Sequence, residues 1–299
     1  MSVIFTIYRQ FFAMDTLHYR AILIVSSFCF FFSFIGHAQP IQLIVRSDDM
    51  GFTHAANEAM IETYKNGITT SIEVMVPTPW FPEAVKMLKD YPDLDVGIHL
   101  TLTSEWENVK WKPLTSAPSL TDDFGYFYPM IWPNDNYGED QALKAQDWKL
   151  EEIEQELRAQ IELAKREIPQ LTHVTGHMGC TSMDERVEAV VRKLAQEYDL
   201  AIFPEDLGVK RARYQGPKET TEEKISSFIA MLESLTPGTY LFVDHPAYNT
   251  SEVQAVHHIG YTDVATDRQG VTDLLTSEKV KETIRRLGIE LIDYADLVK

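Results

Sequence analysis

The feature that most constrains this chain is an alternation. Short runs rich in β-branched and aromatic residues recur along it, separated by amphipathic stretches of helical period. The strand-like runs are Ile41 to Arg46, Thr70 to Val76, Val96 to Leu100, Thr172 to Gly176, Leu200 to Phe203, Tyr240 to Val243 and Ile289 to Ile292. The plainest helical stretch is Trp148 to Glu167. In it Leu150, Ile153, Leu157, Ile161, Ala164 and then Ile168 fall at three- and four-residue spacing, and Pro169 stops the pattern. Others run Ala55 to Lys65, Pro82 to Asp90, Asp184 to Tyr198, Thr221 to Leu235 and Ser277 to Leu287. Strands alternating with helices imply a parallel sheet covered by its crossovers. The expected fold is α/β: a single distorted parallel β/α barrel of about seven strands, which suits a domain of roughly 250 residues. An open doubly wound sheet is the second choice, weakened because no glycine-rich phosphate loop follows any strand.

The chain's beginning reads differently. Ala21 to Ile35 is an unbroken apolar run, preceded by Arg20 and followed by Gly36-His37-Ala38-Gln39, the layout of a secretory signal peptide. The run is shorter than the ~20 apolar residues that span a bilayer. Residues 1–38 are therefore expected to be a cleaved signal and 39–299 the folded domain, with Met14 an alternative start. That predicts an exported protein, periplasmic or extracellular, with no stable membrane anchor. Cleavage removes Cys29 and leaves Cys180 alone, so no internal disulfide is expected. A composition of 44% hydrophobic and 24% charged residues argues against disorder. The net charge of −18 disfavours nucleic acid and anionic membrane faces by simple repulsion and leaves a neutral or cationic small partner. Association into a homodimer stays open.

One segment breaks the rhythm. Thr103 to Asp147 is far longer than the usual ~2–6 residues between strand and helix, which marks a lid or binding loop inserted after the third strand. It carries Trp106, Trp111, Phe124, Tyr126, Phe127, Tyr128, Trp132 and Tyr137. Such rings either stack on sugar faces or build the loop a small core of its own.

In a parallel barrel, catalytic groups gather at the carboxyl ends of the strands. Four such ends here deliver titratable residues: Asp48-Asp49 after IQLIVRS, His99 in DVGIHL, His177 after THVTG, and Asp244-His245 after YLFV. Each alone is weak, since an Asp after a strand is more often a cap and a strand His more often a bonded core residue. Together they matter. One Asp and two His are a frequent ligand set for a divalent metal that keeps positions open for water and substrate. Adjacent Asp48 and Asp49 project differently, so one can bind metal while the other faces the water. His173 stands four before His177, but Thr172, Val174 and Thr175 favour a strand, which rules out a helical metal pair and makes His173 structural. His54 reads as a helix-start or outer group, and His257 and His258 carry no assigned role.

The runs VRSDDMGFTHAANEAMIETYKNGITTSIEVMV, DVGIHLTLTSEW, THVTGHMGC, VDHPAY and TDRQGVTDLLTSEKVKETIRRLGIELIDYADL, in that order, resemble the YdjC-like carbohydrate deacetylases, the family of chitooligosaccharide deacetylase. The resemblance implies a distorted β/α barrel, a divalent metal, and hydrolysis of an N-acetyl group from an amino sugar. It also implies Asp48 as general base, Asp49, His99 and His177 as metal ligands, His245 as the acid, and Arg268 as a residue orienting one of the carboxylates. Magnesium or zinc is expected first, with nickel or cobalt also able to serve. Two positions depart from the family pattern of Asp-x-His-x-His: Thr175 replaces the Asp and Gly179 the second His, while Ala247 stands where Gly follows His-Pro. The metal set survives these changes, so altered specificity is expected rather than lost activity.

Two other classes compete. A glycoside hydrolase would set two carboxylates roughly 5–9.5 Å apart across a sugar, whereas the prominent pair here is contiguous and backed by histidines. A non-catalytic carbohydrate-binding protein would keep the aromatic loop but would not need the base and acid.

Overall fold

The computed structural model describes residues 40–299; the expected signal peptide lies outside them. The first strand, β1 (Ile41–Met50), runs through both aspartates rather than stopping before them. It is followed by α1 (His54–Lys65), β2 (Ser71–Val74), α2 (Phe81–Leu88), β3 (Asp95–Leu100), α3 (Leu150–Glu167), β4 (Leu171–Gly176) and α4 (Glu185–Glu197). Then come β5 (Lys210–Arg211), α5 (Thr221–Ser234), β6 (Gly238–Asp244), α6 (Ser251–Gln254), α7 (Val264–Thr276), α8 (Glu278–Leu287) and β7 (Glu290–Leu291). Local chemistry explains several boundaries. The Thr53 hydroxyl caps α1 at the Ala56 amide, and Thr220 with Glu223 forms a reciprocal capping box on α5.

All strands pair in parallel, in the order β4-β3-β2-β1-β6-β5. Strand β7 joins β1 at Gln42 and Leu43, on the edge that β2 takes over further along. The result is a curled half-barrel, and the expectation of a barrel is corrected in one respect: β4 and β5 are the two ends of the sheet and do not pair. A cavity of about 400 Å³, bordered by Thr175 and Gly176 on one side and Arg211 on the other, occupies the gap. The predicted strand Leu200 to Phe203 would have helped close it. Its amides are spent locally instead, Leu200 on Ala195 and Ile202 on Leu200, and Pro204 then contributes no N–H. Lys210–Arg211 supplies the only pairing there.

The strands alternate as a two-faced sheet must. Leu43 and Val45 of β1 and Tyr240 and Phe242 of β6 pack outward with Phe228 of α5 and Leu274 of α7. Ile44, Leu241 and Tyr294 form a separate small cluster on the inner face. Further along that face the side chains turn polar, with Arg46, Asp48, Glu73, His99 and His173 all buried. Gly97 is what lets two of them meet. A Cβ at that position would come within 2.4 Å of Glu73 Oε2 and 2.5 Å of His173 Nε2.

The long connection from β3 to α3 contains three short 3₁₀ turns and no α-helix. Part of its order comes from α3. Glu156, fully buried, accepts from the amides of Leu114 (3.1 Å) and Thr115 (2.9 Å) and from the Thr115 hydroxyl. One turn on, Gln160 bonds both the amide and the carbonyl of Thr101. The rings divide accordingly: Trp106, Trp111, Phe127 and Tyr137 are buried, whereas Phe124 and Trp132 are exposed. Replacing Glu156 with alanine should lower the unfolding free energy by about 2 kcal/mol in urea, because it strips partners from several donors at once. In the same variant the Leu114 and Thr115 amides should exchange faster with solvent; protection equal to wild type would show that this latch is not what orders the segment.

Candidate active site

The polar inner face opens at the carboxyl ends of the strands into a cleft of about 400 Å³, bordered by Asp48, Asp49, His99, His177, His245, Trp106, Tyr261 and Arg268 among others. The first strand builds its floor. Register with β2 shifts between Ser47 and Met50, and Asp49 within this bulge sits at φ 78°, a left-handed conformation sparsely used outside glycine. Gly51 follows at φ 108°, where a Cβ would meet Thr78 Oγ1 at 2.6 Å. The bulge aims two successive carboxylates at the same cleft, a geometry that an unbroken strand would deny them.

Asp49 is the centre. Its Oδ1 lies 3.2 Å from His177 Nδ1 and 3.6 Å from His99 Nε2, and its Oδ2 lies 2.9 Å from Arg268 Nη2. One ligand atom each from Asp49, His99 and His177 falls within 4.8 Å of the others, and all three residues are buried. Burial opposes the charge on Asp49, but His245, His177 and Arg268 overcome it and hold the carboxyl well below the usual carboxylate range. Arg268 is therefore no surface ion pair. It is buried and lies 4.7 Å over the Phe52 ring and 5.3 Å from that of Trp106.

The two histidines differ in surroundings. Burial favours the neutral ring of His177, yet Glu105 at 3.0 Å from Nε2 and Asp49 beside Nδ1 outweigh it and push its pKa up to about 10. For His99 burial wins: even with Asp48 Oδ2 at 3.7 Å, its pKa falls to about 4, and the neighbouring His177 adds to the fall. Behind His99, Thr175 Oγ1 is 2.8 Å from Nδ1.

Asp48 takes a different partner. Arg46 Nε and Nη2 donate to its two oxygens at 2.7 and 2.8 Å, and Arg46 Nη1 donates to Tyr294 Oη at 2.9 Å. Across the cleft, His245 is partly exposed, with Nε2 3.9 Å from Asp49 Oδ2 and Nδ1 3.7 Å from Asp244 Oδ1. Asp244 also accepts from the Tyr214 hydroxyl at 2.6 Å. Burial would strip the proton from His245, but the Asp49 carboxylate and the Asp244 contact prevail and raise its pKa above the usual histidine value.

The structure thus brings together Asp48, Asp49, His99, His177, His245 and Arg268. His173 is buried in the sheet, bonded to Glu73 at 2.7 Å, and His54 opens α1 against Glu83. Gly179 sits at φ 74°, and a Cβ there would come within 3.1 Å of the Trp132 ring. Several contributors escape sequence reading: Arg46, Glu73, Glu105, Tyr294 and His258, the last of which lines the cleft. Two left a trace. Arg46 stands two before Asp48 and so shares its face, and Glu73 is a lone charge inside an otherwise strand-like run.

Known proteins resemble this chain over most of its length. A carbohydrate deacetylase of Brevibacillus brevis is 30% identical over 270 residues, covering 86% of this chain and 100% of its own. One from Thermus thermophilus is 33% identical over 238 residues, covering 72% of this chain and 80% of its own. The crystal structure of an Enterococcus faecalis protein, described in terms of cellobiose-phosphate cleavage, superposes with a TM-score of 0.67 at 27% identity, covering 87% of this chain and 100% of that one. Residues 42–286 match the family described as YdjC-like protein, and the chain belongs to that family.

Proposed function

We propose that this protein is an exported, metal-dependent hydrolase that removes the N-acetyl group from amino sugars or short oligosaccharides. One observation carries the reading: three buried donor atoms, Asp49 Oδ1, His99 Nε2 and His177 Nδ1, converge on one point of the cleft, with Asp48 and His245 beside them. The donor set fits a divalent cation on its own terms. Asp49 Oδ1 is buried, accepts no well-aligned hydrogen bond, and faces two imidazole nitrogens at 3.2 and 3.6 Å, the company a cation's carboxylate ligand would keep. A carboxylate with two imidazoles suits magnesium or zinc, and equally nickel or cobalt. The substrate class rests on the relatives that are carbohydrate deacetylases.

When bound, the cation supplies Lewis acidity, acidifying water and polarising the acetyl oxygen. The chain's own residues account for the proton traffic. Asp48, with its orientation set by the Arg46 fork, accepts the proton of the attacking water. His245, its pKa raised above the usual histidine value by Asp49 and Asp244, stands at the more open side, where it protonates the departing nitrogen. Asp244, tied down by Tyr214, keeps its ring in place. Arg268 holds Asp49 from the far side through Oδ2, leaving Oδ1 as the ligand atom.

Acetate release from N-acetylated mono- and oligosaccharides is the direct test. Asp48→Asn should keep sugar binding and lose about 100- to 10,000-fold in kcat. Chelation should stop turnover and added magnesium or zinc restore it. New reducing ends without acetate would point to glycosidic cleavage instead, and unchanged function in Asp48→Asn to a binding protein. Because His177 holds its proton up to about pH 10, a cation at Nδ1 must displace it. Zinc binding near neutral pH should thus release about one proton and tighten as pH rises, read by calorimetry in buffers of different ionisation enthalpy. Export is supported by the Ala21–Ile35 apolar run and Gly36-His37-Ala38; the exported form should begin at Gln39 on N-terminal sequencing, and an intact N-terminus would remove this part of the reading.

A further inference from the structure

Behind His99, away from the cleft, buried polar groups form a line through the inner face of the sheet. Thr175 Oγ1 lies 2.8 Å from His99 Nδ1 and 2.5 Å from Glu73 Oε2. Glu73 Oε1 in turn lies 2.7 Å from His173 Nε2, both side chains being fully buried. The direction of these bonds follows from the donors available. A hydroxyl carries one hydrogen and an ionised carboxylate can only accept, so Thr175 donates to Glu73. Its oxygen is then left to accept, and the donor within reach is the Nδ1–H of His99. A neutral imidazole protonated at Nδ1 carries its lone pair at Nε2. That is the atom facing Asp49 Oδ1 at 3.6 Å.

We propose that Glu73 and Thr175 are positioning residues for His99: the carboxylate on the second strand, acting through the threonine hydroxyl, orients the ring and fixes its proton on Nδ1, so that Nε2 is presented as the ligand atom. The inference rests on the metal reading of the site given above. It accounts for two features of this chain together. Position 175 is a threonine, and its hydroxyl links the His99 ring to a buried carboxylate. Gly97 leaves the space that this carboxylate needs. His177 is held by the same principle with the nitrogens exchanged: Glu105 takes Nε2, and Nδ1 faces Asp49.

The tautomer can be read without any metal. Long-range ¹H–¹⁵N correlation on the metal-free, histidine-labelled protein should show His99 as the Nδ1–H form, assigned by its loss in His99→Asn. Thr175→Val, close to isosteric, should convert His99 to a mixture or to the Nε2–H form and weaken zinc, titrated into metal-free protein, by about 10- to 100-fold. Thr175→Ser, which keeps the hydroxyl, should restore both. Glu73→Gln should also weaken zinc, because an amide has one acceptor oxygen where two donors, Thr175 and His173, arrive. Wild-type tautomer and zinc affinity in Thr175→Val, or wild-type affinity in Glu73→Gln, would overturn the proposal. A protein that takes up no zinc, yet shows the Nδ1–H form in wild type and loses it in Thr175→Val, would overturn the metal reading and leave the relay standing.

Discussion

The architecture depends on ionisable groups buried in pairs on the inner face of a curled sheet. Asp48 is matched by Arg46, Asp49 by Arg268, Glu73 by His173 and Glu105 by His177. None of these side chains keeps more than a sliver of contact with water. Removing one member of a buried arginine–aspartate pair typically costs about 3–5 kcal/mol, since the other is left charged and unsolvated. The pairs are also linked to one another. Tyr294, beyond β7, stacks on His173 with ring centroids 3.5 Å apart and accepts from Arg46, so the last turn of the chain braces both the sheet and the Asp48 clamp.

That balance explains why the chemistry sits where it does. The outer face of the sheet packs conventionally against helices, and the hydrophobic effect secures it there. The inner face narrows to a polar layer that only close approach makes affordable, which is why Gly97 lies opposite Glu73 and His173. At the end of β1 the backbone leaves the regular strand, and Asp49 adopts a left-handed conformation. Strain of this kind persists where surrounding contacts over-determine the residue. Here Arg268, His99 and His177 do so from three elements.

Much of this was legible in the sequence. Among the described residues, period-two and period-3.6 patterns located six of the seven strands and all the longer helices but one. The exception, α7, buries Arg268, Gly270 and Thr272 alongside its apolar residues, so its inward face does not read as hydrophobic. The false strand at Leu200 to Phe203 shows the opposite error: an apolar run satisfied its amides locally and was cut off by Pro204. At the candidate site, Asp48, Asp49, His99, His177 and His245 were visible because each lies in or just past the last residues of a strand. Glu105 was not, because it belongs to the long connection and reaches His177 only after that segment folds back.

The sequence by itself determined most of the alternation of strands and helices and which strand ends carry ionisable groups, because residue period is a local property of the chain. Only the tertiary structure decided how those groups share protons and partners. Whether His99 presents Nε2 or Nδ1, whether Arg268 is a surface charge or a buried one, and whether the sheet closes between β4 and β5 all depend on contacts between residues far apart in the chain. Those contacts are set by distance and burial, which no spacing in the sequence encodes.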